Sequence, residues 1–176
     1  DGNEVRFDGS DGHRQHGTLS MRDDERRRLR AFARGEATWA EVEGISATEG
    51  TRMARTGVEL AAAGRLREAA LVFEALTEFN PRDAGAHAAL GTVYQKLGRT
   101  EDALGAYGAA LALDPRHPVA LGNRGELLLR MGRRAGFEDV AAAVQADPQG
   151  RTAAGRRAAR LARAITSDAV ARLGLQ

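Results

Sequence analysis

The side chains equipped for catalysis or metal binding are few in this chain and poorly spaced for either task. His13 and His16 are three residues apart, close enough for two imidazoles to share a metal, but no third imidazole and no thiolate stands near them, and a metal site needs more ligands than two. His87 occupies a position where a large packing side chain recurs along the chain, and His117 lies in a turn before Pro118. The acid pair Asp23-Asp24 is embedded in a run of charges and reads as solvated surface rather than as an acid–base couple. Cysteine is absent, which excludes disulfides and thiolate metal sites. There is no nucleophile elbow, no Walker loop and no HExxH helix. No catalytic residue, metal site or cofactor is expected, and the chain is not expected to be an enzyme.

The elements that carry these residues belong to one domain's length of chain: 176 residues, 43% hydrophobic and 28% charged. No apolar stretch approaches the roughly 20 residues of a membrane span. Residues 1–20 are polar, rich in Gly, Asp and His, and lack the apolar core of a secretory signal. The expectation is a cytoplasmic protein without membrane insertion and with a disordered leader over 1–20. Met21, at the border, is a candidate natural start, with the leader as an upstream extension or added sequence. Charge is uneven: residues 151–176 hold six arginines against one acid, and carry +5 within a net +2. Such a basic helix can touch an acidic partner or nucleic acid, but reads first as a solvated face, and no nucleic-acid partner is expected.

Internal repetition dominates the middle of the chain. Gly57, Gly91 and Gly125 are 34 residues apart, as are Gly64, Gly98 and Gly132. Pro81 and Pro115 keep the same interval, and Pro148 follows after 33. Between them recur Leu60, Tyr94 and Leu128, then Ala69 and Ala103, then Phe73, Tyr107 and Val140. In the third copy Gly136 takes the alanine slot. This is the tetratricopeptide repeat (TPR) pattern, a helix hairpin of 34 residues. Small residues let the two helices of a hairpin approach, and large ones fill the space beside them. Gly64, Gly98 and Gly132 end the first (A) helices, and the prolines stop the second (B) helices. Asp83 and Thr100 are placed to cap the next helices, and Pro118 suits a first helical position.

The predicted fold is therefore all-α: a right-handed α-solenoid of three TPR hairpins at 50–83, 84–117 and 118–150. An N-terminal helical segment over 21–49 leads in, and a capping helix and tail over 151–176 close the stack. Thr38-x-x-Glu41 and Ser46-x-x-Glu49 read as capping boxes, with Leu29, Phe32, Trp39, Val42 and Ile45 supplying apolar contacts. A helix over Thr152–Thr166 aligns Ala154, Ala158, Leu161 and Ile165 on one stripe. Core burial is expected for Leu60, Phe73, Leu90, Tyr94, Tyr107 and Leu128.

Binding is the remaining function class. In a TPR stack the A helices line a concave groove, reached by repeat positions 2, 5, 9 and 12. Here those are Thr51, Ala54, Val58 and Ala61, then Gly85, Ala88, Thr92 and Gln95, then Val119, Gly122, Glu126 and Leu129. The lining is small and weakly polar, which either leaves room for a partner's apolar side chains or reflects an alanine-rich composition. The lysine, asparagine and arginine clamp of TPR co-chaperones is absent, since Ala54, Val58, Ala89, Val119 and Asn123 stand at its positions.

Residues 29–166 resemble the class II chaperones of bacterial type III secretion, which escort hydrophobic translocator proteins. The resembling stretches run from Phe32 to Thr38 into Ile45-Ser46, from Val72 to Leu76, and from Glu126 to Leu129 before Gly132. The sequence departs from that family at Ala54, Val58 and Ala61, where aromatic residues are usual, and at Arg124, where an apolar residue is. The resemblance implies a client protein with apolar segments, held extended in the concave groove, and a homodimer contact through the N-terminal segment. The alternative is a general TPR scaffold for a secretion or pilus assembly.

Overall fold

The computed structural model describes residues 23–44 and 46–173; the leader over 1–20, Met21 and Ile45 lie outside them. Every regular element among the described residues is a helix. The lead-in consists of α1 (Asp23–Ala33) and α2 (Trp39–Glu43). Three hairpins follow: α3 (Ala47–Ala62) with α4 (Leu66–Phe79), α5 (Ala84–Lys96) with α6 (Thr100–Leu113), and α7 (Pro118–Arg130) with α8 (Ala135–Ala146). The last element is α9 (Ala153–Leu173), longer than its apolar stripe alone suggested.

Local chemistry sets the boundaries. Both capping boxes form: Thr38 Oγ1 accepts from the Glu41 amide and Glu41 accepts from the Thr38 amide, and Ser46 and Glu49 do the same. Asp83 accepts from the Ala86 amide at 3.0 Å to open α5, and His117 Nδ1 accepts from the Ala120 amide at 3.3 Å to open α7 behind Pro118. Thr100 does not cap α6. The turn after α5 is so short that Arg99 already holds the cap position, with its amide bonded to Tyr94 O, and Thr100 is the first helical residue. Gly64, Gly98 and Gly132 have φ of 77°, 75° and 71°, the left-handed closure that ends α3, α5 and α7.

Within each hairpin the two helices meet over a glycine. A Cβ at Gly57 would lie 2.8 Å from the Phe73 ring, one at Gly91 2.7 Å from the Tyr107 ring, and one at Gly125 2.9 Å from Val140. The large side chain of each B helix thus takes the space that the A helix leaves empty. Phe73, Leu90, Tyr94, Tyr107 and Leu128 are all buried. Leu60 is only partly buried, because α2 packs on α4 and leaves α3 without a preceding helix against it. Arg124, anomalous in the repeat pattern, is explained by its partner. Its guanidinium donates to both oxygens of Asp139 at 2.7 and 2.8 Å, so an ion pair stands where the preceding repeat has the buried apolar residues Leu90 and Ala106.

α9 packs on both α7 and α8, as the A helix of a fourth repeat would. Ala158, 33 residues after Gly125, repeats the small position and is buried with Ala154. The entry into α9 is fastened by Asp147, whose carboxylate accepts from the amides of Arg151 and Thr152, each at 2.8 Å, and from the Thr152 hydroxyl at 2.9 Å.

Candidate functional site

The successive A helices α3, α5 and α7, continued by α9, line the concave side, and the twelve groove positions divide there into separate neighbourhoods. Val58, Ala61, Gly85, Ala88, Thr92 and Val119 come together in an open, predominantly apolar cleft of about 380 Å³ between α3, α5 and α7. Val58 is 59% exposed at its edge, whereas Ala88 is 2% exposed and forms its floor. Lys96, at the end of α5, and His117 stand on the rim.

Thr51 and Ala54 border a different cleft, of about 660 Å³, which the lead-in around Glu41 and Ser46 closes against α4 and the start of α5. Its walls are mixed: Leu76 and Phe79 beside Glu36, Arg82 and Asp83. Arg82 bonds the carbonyl of Gly35, which ties the lead-in to the first hairpin.

The remaining positions are engaged. Gln95 Oε1 accepts from the Tyr107 hydroxyl at 2.7 Å. Thr92 Oγ1 donates to Ala88 O at 2.9 Å and accepts from Asn123 Nδ2 at 3.1 Å. Asn123, buried, accepts in turn from Arg157 of α9. Glu126 is held from both sides, by Arg130 at 2.6 Å and Arg157 at 3.4 Å. Gly122 lies under α9, where a Cβ would be 3.3 Å from Ala154 O. Leu129 turns toward α8 and packs at Gly136, whose own Cβ would be 2.7 Å from Leu129 Cγ. A polar network thus runs from Tyr107 through Thr92 and Asn123 to α9. Burial pushes the Tyr107 hydroxyl above the usual tyrosine range, and the polar side chains of Thr92 and Asn123 beside it act the other way.

On the B-helix side Tyr94 donates to Glu74 at 2.7 Å, with the Arg99 guanidinium 4.2 Å from its ring centroid. Burial, and then this bond to a carboxylate, raise the Tyr94 hydroxyl to about 12. His87 Nε2 lies 3.0 Å from Pro81 O and is half-buried, a structural placement. Among the described residues no group of His, Asp or Glu side chains is arranged to hold a metal ion, and no helix is long and apolar enough to cross a membrane.

Residues 84–117, which form α5 and α6, match the tetratricopeptide repeat family. Three solved structures share the arrangement well beyond that one hairpin. The type III secretion translocator chaperone SycD of Yersinia enterocolitica is similar with a TM-score of 0.66 at 21% identity, over 73% of this chain and 98% of that one. A type III secretion complex from Aeromonas hydrophila gives 0.69 at 22% identity, over 80% and 95%. PcrH, a Pseudomonas aeruginosa protein, in complex with the chaperone binding region of PopD, gives 0.63 at 25% identity, over 71% and 96%.

The fold is that of a TPR stack resembling the translocator chaperones. The match spans nearly the full length of SycD and PcrH, so it includes more than generic hairpins. A search of curated protein sequences finds no match.

Two features of this TPR stack were not read from sequence. The first is the polar network, for which the available signal was Asn123, a polar residue where the previous copy has Ala89. The second is α9 as a continuation of the concave wall, signalled by Ala158 at the spacing of the small repeat position.

Proposed function

We propose that this chain is a cytoplasmic chaperone that holds an apolar segment of a hydrophobic, secreted translocator across its concave face. The observation that carries this reading is the open apolar cleft between α3, α5 and α7, where small side chains on successive helices leave room for larger ones. PcrH has been solved with the chaperone binding region of PopD, and carrying that over makes the occupant here an extended protein segment. A translocator must later enter a membrane, so before secretion its apolar stretches would aggregate unless covered.

In this reading Val58, Ala61, Gly85, Ala88, Thr92 and Val119 form the main contact surface, with Thr51 and Ala54 at the α3 margin. The role is binding without catalysis. A second copy of the chain is assigned to the lead-in. Phe32 and Trp39, in edge-to-face contact with centroids 5.4 Å apart, are 43% and 36% exposed there.

Val58→Arg tests the proposal, because Val58 is exposed and the change leaves the stack intact. Ala88→Glu is unsuitable, since Ala88 is buried and a charge there would disturb the packing itself. The full chain is co-expressed with a translocator protein that carries long apolar segments, and the amount of that protein kept in solution is scored. Val58→Arg should retain wild-type helicity and weaken client binding at least about tenfold, or ~1.4 kcal/mol. Undiminished solubilisation would favour a scaffold that binds through another face.

A further inference from the structure

The concave face is not uniform, and its chemistry changes at α9. A second cleft, of about 290 Å³, lies between α7 and α9 and is lined by Gly122, Glu126, Arg157, Ala158, Arg160 and Leu161. It continues the row of A helices one step beyond the apolar cleft. The only acid lining it, Glu126, is already neutralised, one oxygen taken by Arg130 and the other by Arg157. Arg160 is exposed and, among the described residues, has no hydrogen-bond or ion-pair partner. Arg130, Arg157 and Arg160 against Glu126 leave this margin with an excess of two positive charges. At the other cleft Lys96 on the rim is likewise unpaired among the described residues. An anion fits this surface and a cation does not.

The geometry points to a client segment of two parts: an apolar anchor seated between α3 and α5, and an Asp or Glu side chain that pairs with Arg160 at α9. This inference rests on the groove-binding reading above and adds to it the charge and the spacing of the occupant. Neighbouring helices pack 8–10 Å apart, so the two steps from α5 to α9 cover about 20 Å. An extended chain rises about 3.3 Å per residue, which separates anchor and carboxylate by roughly six residues. The pairing is exposed and salt-sensitive, and so it selects among clients more than it adds affinity.

The probe is a displayed library of random 12-residue peptides, selected on the full chain and on its Arg160→Glu and Val58→Arg variants. The wild-type selection should enrich sequences with an aliphatic anchor and an acid five to seven positions away. Arg160→Glu should replace that acid by Lys or Arg while keeping the anchor. A recovered peptide should bind Arg160→Glu about fivefold more weakly, and changing its acid to Lys should restore the affinity. An aliphatic anchor with no acid enrichment, or a selection unchanged by Arg160→Glu, overturns the two-part client and leaves the groove reading standing. Peptides that bind Val58→Arg as well as wild type overturn the groove reading itself.

Discussion

The α3–α5 margin and the α7–α9 margin of the concave face share a backbone and differ in almost everything built on it. At the first, the groove positions are Val58, Ala61 and Ala88, and the space over them is open and apolar. At the second, the equivalent positions are Gly122 and Glu126; the first is covered by α9, the second clasped by two arginines. The same division runs through the hairpins. Leu90 and Ala106 are buried apolar residues in the second repeat, and Arg124 and Asp139 stand at their positions as an ion pair in the third. A repeat therefore fixes where a side chain points, and its neighbours decide what that direction is worth. A groove residue with nothing stacked over it is free to bind, while the same residue under the next helix becomes structure.

Tyr107 joins the packing of the second hairpin to the polar network that reaches α9, and its loss should have the largest effect. Its ring fills the space over Gly91, and its hydroxyl reaches the polar network. Tyr107→Ala should cost about 3–5 kcal/mol in thermal or denaturant unfolding. Tyr107→Phe keeps the ring and leaves Gln95 without its donor, so it should cost only about 1 kcal/mol. Equal losses in the two variants would mean that the network, not the packing, holds the second repeat.

A smaller effect, confined to the third repeat, is expected for Asp139→Ala. It strands the Arg124 guanidinium in a partly buried place, at about 2–3 kcal/mol once the exposure of Arg124 is allowed for. Adding Arg124→Leu transplants the second repeat's pair, and the double variant should return to within about 1 kcal/mol of wild type. Failure of that rescue would show that the third repeat needs the ion pair for more than filling space.

The smallest effect concerns the entry into α9. The amide of Thr152, and then that of Arg151, hold the Asp147 carboxyl below the usual aspartate range. A carboxylate with a lowered folded pKa contributes stability above its unfolded value, about 3.9, and loses it as the pH falls through the folded one. Acid should therefore loosen α9 below about pH 4. Amide exchange of residues 153–158 should rise there before that of α5 does. In Asp147→Asn the exchange of these amides should already be raised at neutral pH and respond less to acid.

Much of the architecture was legible because a solenoid repeats its packing. One glycine against one large side chain, with the glycines spaced by 34, announces a hairpin three times over. The capping boxes were equally readable, since both partners lie within one turn of chain. The groove lining was less so. Position in the repeat named twelve candidate groove residues, but Ala88, Gly122 and Leu129 are buried or turned by contacts that come from other helices. The Arg124–Asp139 pair joins residues 15 apart, on different helices. Each breaks the pattern in its own helix, and only the hairpin brings the two breaks together. The basic stripe of α9 read as solvated surface because its sequence does not reveal that Arg157 reaches Asn123 and Glu126.

Photo-crosslinking asks whether the client lies in the groove. A benzoylphenylalanine is placed at Val58, exposed in the apolar cleft, or at Leu71, which is 65% exposed on α4 away from that cleft. Each variant is co-expressed with a translocator protein that carries long apolar segments, and irradiated. A client held in the groove gives an adduct from position 58 and none from position 71. An adduct from position 71 without one from position 58 would contradict the account.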